Sequence, residues 1–421
     1  MSVSIDDLAI NGGTPIRTEP FPPWPHFEEP EKQAVRAVLD SDDVNYHRGD
    51  CGIRFEAAFA QWVGVRYGLA VTNGGAALQC AVAACEVGPG EEVIVPAHTY
   101  IASDLAPVWL NAVPVFADVN PQTLNLSAAT ICDRITERTR AIVAVHMYGR
   151  PCDMGEIMEL AAEHDLLVVE DCAQAHGATY QGAKVGSLGH IAAFSFCQTK
   201  HMTTGGEGGA VVTDDLDLAR RARAAAHYGI LYDEPDEDGR WRGSSGRTCI
   251  GWNLRMTEMQ SAIGLAVLQR LDESVARRRE LAAYLTQGLA ESAAVDPIPE
   301  GLDRTHTYFR YDCLFNADAV TCTRDEFVRA VGAEGVPISR GSSFANHLEP
   351  VFAEHLGPGG TECPFACPWY ESQAIYEPGS CPVSEAIGER VVTLEVYPTI
   401  ETKDCDDVLA AIAKVEEAYR A

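Results

Sequence analysis

Of the five lysines in this chain, one stands where an amine can do chemistry. Lys200 follows an apolar run at 191–196 and precedes the glycines Gly205, Gly206, Gly208 and Gly209, from which a second apolar run leaves at 209–213. Lys32 and Lys414 lie among charges in helical patterns, Lys403 is beside Glu401 and Asp404, and Lys184 belongs to a small turn. Those four are expected to be solvated surface amines. A lysine desolvated between two buried strands loses part of its preference for the charged form. It becomes a competent nucleophile, the usual basis for a Schiff base with pyridoxal phosphate. Taken alone, Lys200 also fits a lysine that snorkels out of a loop.

Such an amine needs neighbours, and the pattern of elements says where to look. Strand-like runs fall at 68–72, 93–96, 113–119, 141–146, 166–170, 191–196 and 209–213, with helical patterns between most of them, as at 76–84, 102–109 and 155–163. Apolar strands alternating with helices imply a largely parallel sheet covered on both faces. Ligands of such sheets bind at the carboxyl ends of the strands. Three of those ends carry suggestive residues. Asp171 follows 166–170; a buried carboxylate there is costly unless paired, and opposite a pyridine nitrogen it would keep that nitrogen protonated. A helix N-cap is its plainer role. Asn73, Gly74 and Gly75 follow 68–72 and open a helix whose free N–H groups can hold a phosphate, although Gly-Gly turns are common. Tyr100 follows 93–96 and could stack on a ring, or be core.

Composition sets limits. At 421 residues the chain can bury a large core, most simply in two domains. No apolar run is long enough to cross a bilayer, the start lacks a signal-peptide pattern, and a cytosolic enzyme is expected. A net charge of −29 argues against nucleic-acid binding. The fourteen cysteines, including Cys80, Cys85, Cys132 and Cys249 in apolar runs, are expected to be reduced, buried thiols. Cys363 and Cys367 have loose metal-ligand spacing that no second pair completes, and no metal is expected.

The Pro- and Gly-rich start is expected to form an arm over residues 1–30. A large domain over 31–260 follows, then a connecting helix and a smaller C-terminal domain over 261–421. Short helices are expected at 31–40 and 54–63, a helix at 215–227, a surface excursion at 228–248, one long arginine-rich helix over 256–287 and a last helix at 405–421.

Taken in this order, three motifs resemble the DegT/StrS family of sugar and cyclitol aminotransferases. They are Val169-Glu-Asp-Cys-Ala-Gln-Ala-His-Gly177, Phe194-Ser-Phe…Lys200…Gly-Gly-Glu-Gly-Gly209 and Gly251-Trp-Asn-Leu-Arg-Met-Thr-Glu-Met-Gln260. The resemblance implies an α/β fold, that of fold type I pyridoxal phosphate-dependent transferases. Its large domain carries a mostly parallel seven-stranded sheet, and its smaller C-terminal domain is α+β. It implies that Lys200 binds pyridoxal 5′-phosphate covalently and then shuttles the proton, with Asp171 on the pyridine nitrogen and Gln174 near the ring oxygen. Tyr100 would stack on one face, with Ala173 below the other; Ser195, Gly74 and Gly75 would hold the phosphate. Asn253 would reach the phosphate of a second subunit, implying a homodimer with shared sites. Glu207 would support the glycine loop.

The implied reaction moves an amino group from L-glutamate or L-glutamine to a cyclic ketone. The opening Leu8 to Arg17 and Pro22-Pro-Trp-Pro25 look like the arm of scyllo-inosose-type aminotransferases of aminoglycoside pathways. A nucleotide-linked ketone would favour a basic cradle, whereas the acceptor-side segment offers chiefly Arg340. Ser342, Ser343, Asn346 and His306 could serve a neutral ring ketone. Gly75 stands where the family usually has Ser or Thr, and Glu395-Val-Tyr-Pro398 replaces a usual Leu-Pro pair. Several alternatives stay open: a nucleotide-linked keto-sugar aminotransferase, an aminohydroxybenzoate-synthase-like enzyme, and a non-catalytic cofactor-binding sensor. A keto-sugar dehydratase would have histidine in place of Lys200, so adjacent His201 would matter only if the register slipped by one.

Overall fold

In a computed structural model the chain is described over residues 3–237, 239–341, 344–371 and 374–420. The seven runs form one sheet: β1 (Tyr67–Val71), β2 (Glu92–Pro96), β3 (Val113–Ala117), β4 (Thr139–Val145), β5 (Leu167–Asp171), β6 (Ile191–Ser195) and β7 (Gly209–Thr213). Their order across the sheet is β1-β7-β6-β5-β4-β2-β3. Strands β2 to β6 pair in parallel. β7 runs antiparallel to both β1 and β6. The reason is local: the Lys200 loop contains no crossover helix, and a chain that returns without one must return antiparallel.

Strand alternation sends side chains to two apolar layers. Leu69, Val71, Val93, Val95, Val169 and Ala193 join one cluster with α3 (Gly74–Ala84), α4 (Ala102–Val108) and α6 (Leu216–Ala226). Ala70, Ala192 and Phe194 face the opposite way, against α2 (Cys51–Val63) and α7 (Glu258–Leu268). Val168 and Ile142 pack on α5 (Met154–Glu163). Ahead of these, α1 (Glu29–Ser41) packs along α7.

The long helix expected over 256–287 is two helices, α7 and α8 (Leu271–Gly288). The last turn of α7 tightens, with Gln269 and Arg270 donating to the carbonyls three residues back. The Arg270 guanidinium then turns to Glu28 and Glu31 at the start of α1. The excursion at 228–248 contains an antiparallel hairpin, β8 (Ile230–Tyr232) and β9 (Gly243–Arg247). A second sheet, β10 (Val295–Pro297), β11 (Tyr311–Phe315), β12 (Ile338–Ser339) and β13 (Val391–Leu394), packs with α8, α9 (Arg324–Ala333) and α10 (Thr402–Ala418). Leu8 of the N-terminal arm is fully buried in that cluster. Phe352, Phe365 and Tyr370 instead share the cluster of β2 and β3.

Two expected surface amines are otherwise engaged. Lys414 donates to Thr14 O and Glu334 Oε2, both at 2.8 Å, and so ties the arm to α10. Lys184 donates to Trp62 O at 2.7 Å and lies over the Trp62 ring. Cys80 and Cys85 are buried free thiols, as expected, while Cys132 and Cys249 are exposed. Among the described residues no helix is long and apolar enough to cross a membrane.

Candidate active site

Because β7 is antiparallel, its start lies at the same edge of the sheet as the carboxyl ends of β1, β2, β4, β5 and β6. Gly209 pairs with both Val71 and Ser195. The edge therefore gathers Asn73 to Gly75, Ala97 to Tyr100, His146 to Tyr148, Asp171 to Gln174 and the Lys200 loop. Period two puts Asp171 on the face of Val169 and Ser195 on the face of Ala193, the face that α3 and α4 cover.

Asp171 is not a helix cap, since turns rather than a helix follow it. Its Oδ1 accepts from Ala173 N at 3.0 Å, and its Oδ2 accepts from Ser103 Oγ at 2.7 Å. The carboxylate is only 5% exposed, yet it keeps lone pairs for a cationic partner. Glu170 points the other way. Burial would raise it, but His146 and the N–H groups of Gly186 and Gly189 hold it below the usual carboxylate range.

Asn73 caps α3 through Ala76 N at 2.8 Å, which leaves the N–H groups of Gly74 and Gly75 in the first turn for a ligand. A Cβ at Gly74 would fall 2.5 Å from Ser195 Cβ and 2.8 Å from Ser195 Oγ. The helix N-terminus and the hydroxyl thus converge on one point. At Gly75 a Cβ would meet Asn73 Oδ1 at 3.3 Å, so less forbids a side chain there.

Lys200 lies on the loop between β6 and β7. Phe196 N–H donates to Gly208 O and Gln198 N–H to Gly206 O, with Gly206 at φ 122, a conformation side chains rarely adopt. Glu207 serves that loop through its backbone carbonyl, which accepts from Thr204 Oγ1 and Gln260 Nε2. Burial pushes the Lys200 amine down to about 8, against the opposing charge of Asp171. Its Nζ sits 4.1 Å above the Phe309 ring, and Trp24 Nε1 donates to its carbonyl at 3.3 Å. Neighbouring His201 is buried and bonded to Thr307 O at 3.0 Å.

Gln174 Oε1 accepts from Tyr148 N at 2.9 Å, which leaves its NH2 to donate. Ala173 is partly buried beside it. Tyr100 is 61% exposed at the mouth of the site, an aromatic face without a cover. Asn253 is exposed on a segment that bridges to His227, away from the Lys200 loop in sequence. Among the residues suggested for the acceptor, Asn346 is buried and donates to Thr99 O at 2.8 Å and to Asp104. His306 Nδ1 accepts from Tyr308 N at 2.8 Å. Both are spent on the protein itself. Arg340 reaches Asp325 at 3.5 Å, and Ser342 and Ser343 lie outside the described residues.

Four site residues escaped the sequence reading: Ser103, Tyr148, Phe309 and Trp24. Tyr148 has φ 61, costly for a bulky residue, and its hydroxyl bonds to His98 Nε2 at 2.8 Å. Burial pushes His98 down to about 4, so the imidazole is neutral. Only Ser103 had a local signal, a hydroxyl in the first turn of a helix that starts at a strand end.

The donor set fits pyridoxal phosphate. It offers an amine of lowered basicity, a buried carboxylate, an anion cradle that a Cβ would fill, and an open aromatic face. Bound there, the group would supply an electron sink for breaking a bond beside an amine-bearing carbon. Gly74→Ala is expected to weaken its binding about tenfold or more, which is roughly 1.4 kcal/mol. Fluorescence titration of the cofactor-free protein reads this; unchanged affinity would move the phosphate elsewhere.

Known proteins carry the same arrangement. The DegT/DnrJ/EryC1/StrS aminotransferase family profile matches residues 25–371. The chain is similar to GDP-perosamine synthase of Caulobacter vibrioides, 38% identical over 93% of this chain and 96% of that one. It is 37% identical to L-glutamine:2-deoxy-scyllo-inosose aminotransferase of Streptomyces lividus, over 97% of each chain. Among solved structures it resembles the aminotransferase from Psychrobacter cryohalolentis, with TM-score 0.83, 37% identity, and 93% and 98% of the two chains covered. A buried lysine facing a buried carboxylate across a phosphate cradle thus has its explanation: the chain belongs to the DegT/DnrJ/EryC1/StrS family and is a pyridoxal phosphate-dependent aminotransferase.

Proposed function

We propose that the enzyme moves an amino group from L-glutamine or L-glutamate to a free keto-cyclitol or keto-sugar. The observation that carries the acceptor choice is the state of the acceptor-side arginine: Arg340 is 68% exposed and turned to Asp325. A nucleotide-linked ketone brings a diphosphate, which needs a basic cradle that this side does not offer. The similarity to enzymes named for scyllo-inosose ketones supports the same reading. The similarity to GDP-perosamine synthase favours the nucleotide-linked alternative. Offering both ketone classes with both donors, and following amine incorporation by mass spectrometry, decides between them. Turnover of only the nucleotide-linked ketone would overturn the choice.

In this reading Lys200 anchors the cofactor and carries the proton between donor carbon and cofactor carbon. Asp171 keeps the pyridine nitrogen charged, Gln174 donates toward the ring oxygen, and Tyr100 and Ala173 bracket the ring. Ser195, Gly74 and Gly75 hold the phosphate. Asn253 serves the phosphate of a second copy, so the working unit is a homodimer; an active monomer in sedimentation would refute that. Phe309 and Trp24 keep water from the amine.

Lys200 also sets a pH dependence. Its amine combines with a carbonyl only when neutral, and the neutral fraction grows as pH rises through about 8 rather than 10.5. The rate at which cofactor-free protein takes up pyridoxal phosphate is therefore expected to rise up to about pH 8 and then level off. A rate still climbing above pH 9 would show a solvated amine.

A further inference from the structure

One cation in the site has nothing to neutralise it. Thr307 N–H donates to Gly149 O at 3.0 Å and Phe309 N–H to Tyr148 O at 2.9 Å, so this segment runs along the loop that follows β4. Arg310 comes next, just before β11. The Phe309 ring carries two cations, Lys200 Nζ at 4.1 Å and the Arg310 guanidinium carbon at 5.4 Å. Arg310 is half-buried, and among the described residues its guanidinium makes no hydrogen bond and no ion pair. The arginines around it are occupied. Arg278 donates to the carbonyls of Tyr308, Phe309 and Val396. Arg304 pairs with Asp153 and Asp303, and Arg279 with Glu300. Asp312, two residues on, accepts from Thr393 Oγ1 instead of from Arg310.

A half-buried guanidinium beside a buried amine is an electrostatic cost, and in a chain of net charge −29 a carboxylate partner would have been easy to supply. The missing partner therefore points to an anion that arrives from outside. Resting on the transamination reading above, we propose that Arg310 receives the α-carboxylate of the amino donor. That carboxylate is bonded to the carbon that bears the amine, so it must sit within a few bonds of the atom on which Lys200 works. The cation that shares an aromatic ring with Lys200 Nζ lies at that reach. A diphosphate on an acceptor ring is several bonds farther from its ketone carbon. The planar fork of arginine also matches a carboxylate with two parallel hydrogen bonds. The assignment makes Arg310 the residue that admits amino acids and rejects plain amines.

The test compares Arg310→Gln and Arg310→Lys with the parent holoenzyme. The donor half-reaction is followed by cofactor absorbance with L-glutamine and with L-glutaminol, in which an alcohol replaces the carboxylate. The parent is expected to prefer glutamine by about 100-fold, and Arg310→Gln to lose most of that preference with its acceptor KM unchanged. Arg310→Lys keeps the charge but not the fork and should fall between them, which guards against a misfolded variant. Glutarate, a dicarboxylate with no amine to give, should bind about 30-fold more weakly to Arg310→Gln in calorimetry. Undiminished discrimination in an active Arg310→Gln enzyme, or a change confined to acceptor KM, would overturn the assignment. If the parent transferred no amine at all, the functional reading would fail instead, and the glutarate comparison would still judge Arg310.

Discussion

Lys200→Ala is expected to lower turnover by about 10⁴-fold or more and to leave the cofactor removable by gel filtration. Two losses combine in that one substitution. The covalent anchor disappears, and so does the only amine placed to carry the proton. The other lysines cannot substitute: Lys184 is held on Trp62 O, Lys414 on Thr14 O and Glu334, Lys32 on Glu29 and Lys403 on Glu401. Folding should be little affected, because Nζ contributes contact with the Phe309 ring and no hydrogen bond to the protein is seen for it. Steady-state rates, together with the absorbance that survives gel filtration, read both losses. Turnover within tenfold of the parent would remove Lys200 from the chemistry.

Asp171→Asn is expected to lower turnover by roughly 10² to 10³-fold, the size of loss seen when a preorganised electrostatic partner is removed. The geometry says why the amide cannot stand in. Ser103 Oγ and Ala173 N both donate to Asp171, and an amide offers one oxygen where the carboxylate offers two. Its NH2 would face one of those donors, and no charge would remain to hold a pyridinium proton. Cofactor affinity should fall only modestly, since the phosphate cradle and Lys200 are untouched. Single-turnover kinetics alongside cofactor titration separate the two effects. A near-normal rate would reduce Asp171 to a turn-former.

The strand ends, the phosphate turn and the lysine loop were legible in the sequence because each is a local property. Period-two alternation puts Asp171 and Ser195 on one face of the sheet, and a Gly-Gly start leaves the first N–H groups of α3 open. The glycines after Lys200 permit a return too short for a helix. Such rules depend only on residues a few positions apart, so no knowledge of packing was needed.

What the sequence could not give was the partner of each side chain across the fold. Phe309 lies 109 positions from Lys200, and nothing in either neighbourhood pairs them. They meet because the segment before β11 is laid along the loop after β4. Trp24 reaches the lysine loop only once the arm is packed on the second cluster. Asn346 has the chemistry of a substrate contact, yet it is consumed by Ala97, Thr99 and Asp104 when its segment docks on the turn after β2. Arg310 is the converse case: unremarkable among 27 arginines in sequence, it is singled out only when its neighbours prove to be paired and it does not. Alternation and turn chemistry decide which way a side chain points within its own element. Which group waits at the far end is decided by the packing of elements distant in sequence, and only the tertiary structure contains that.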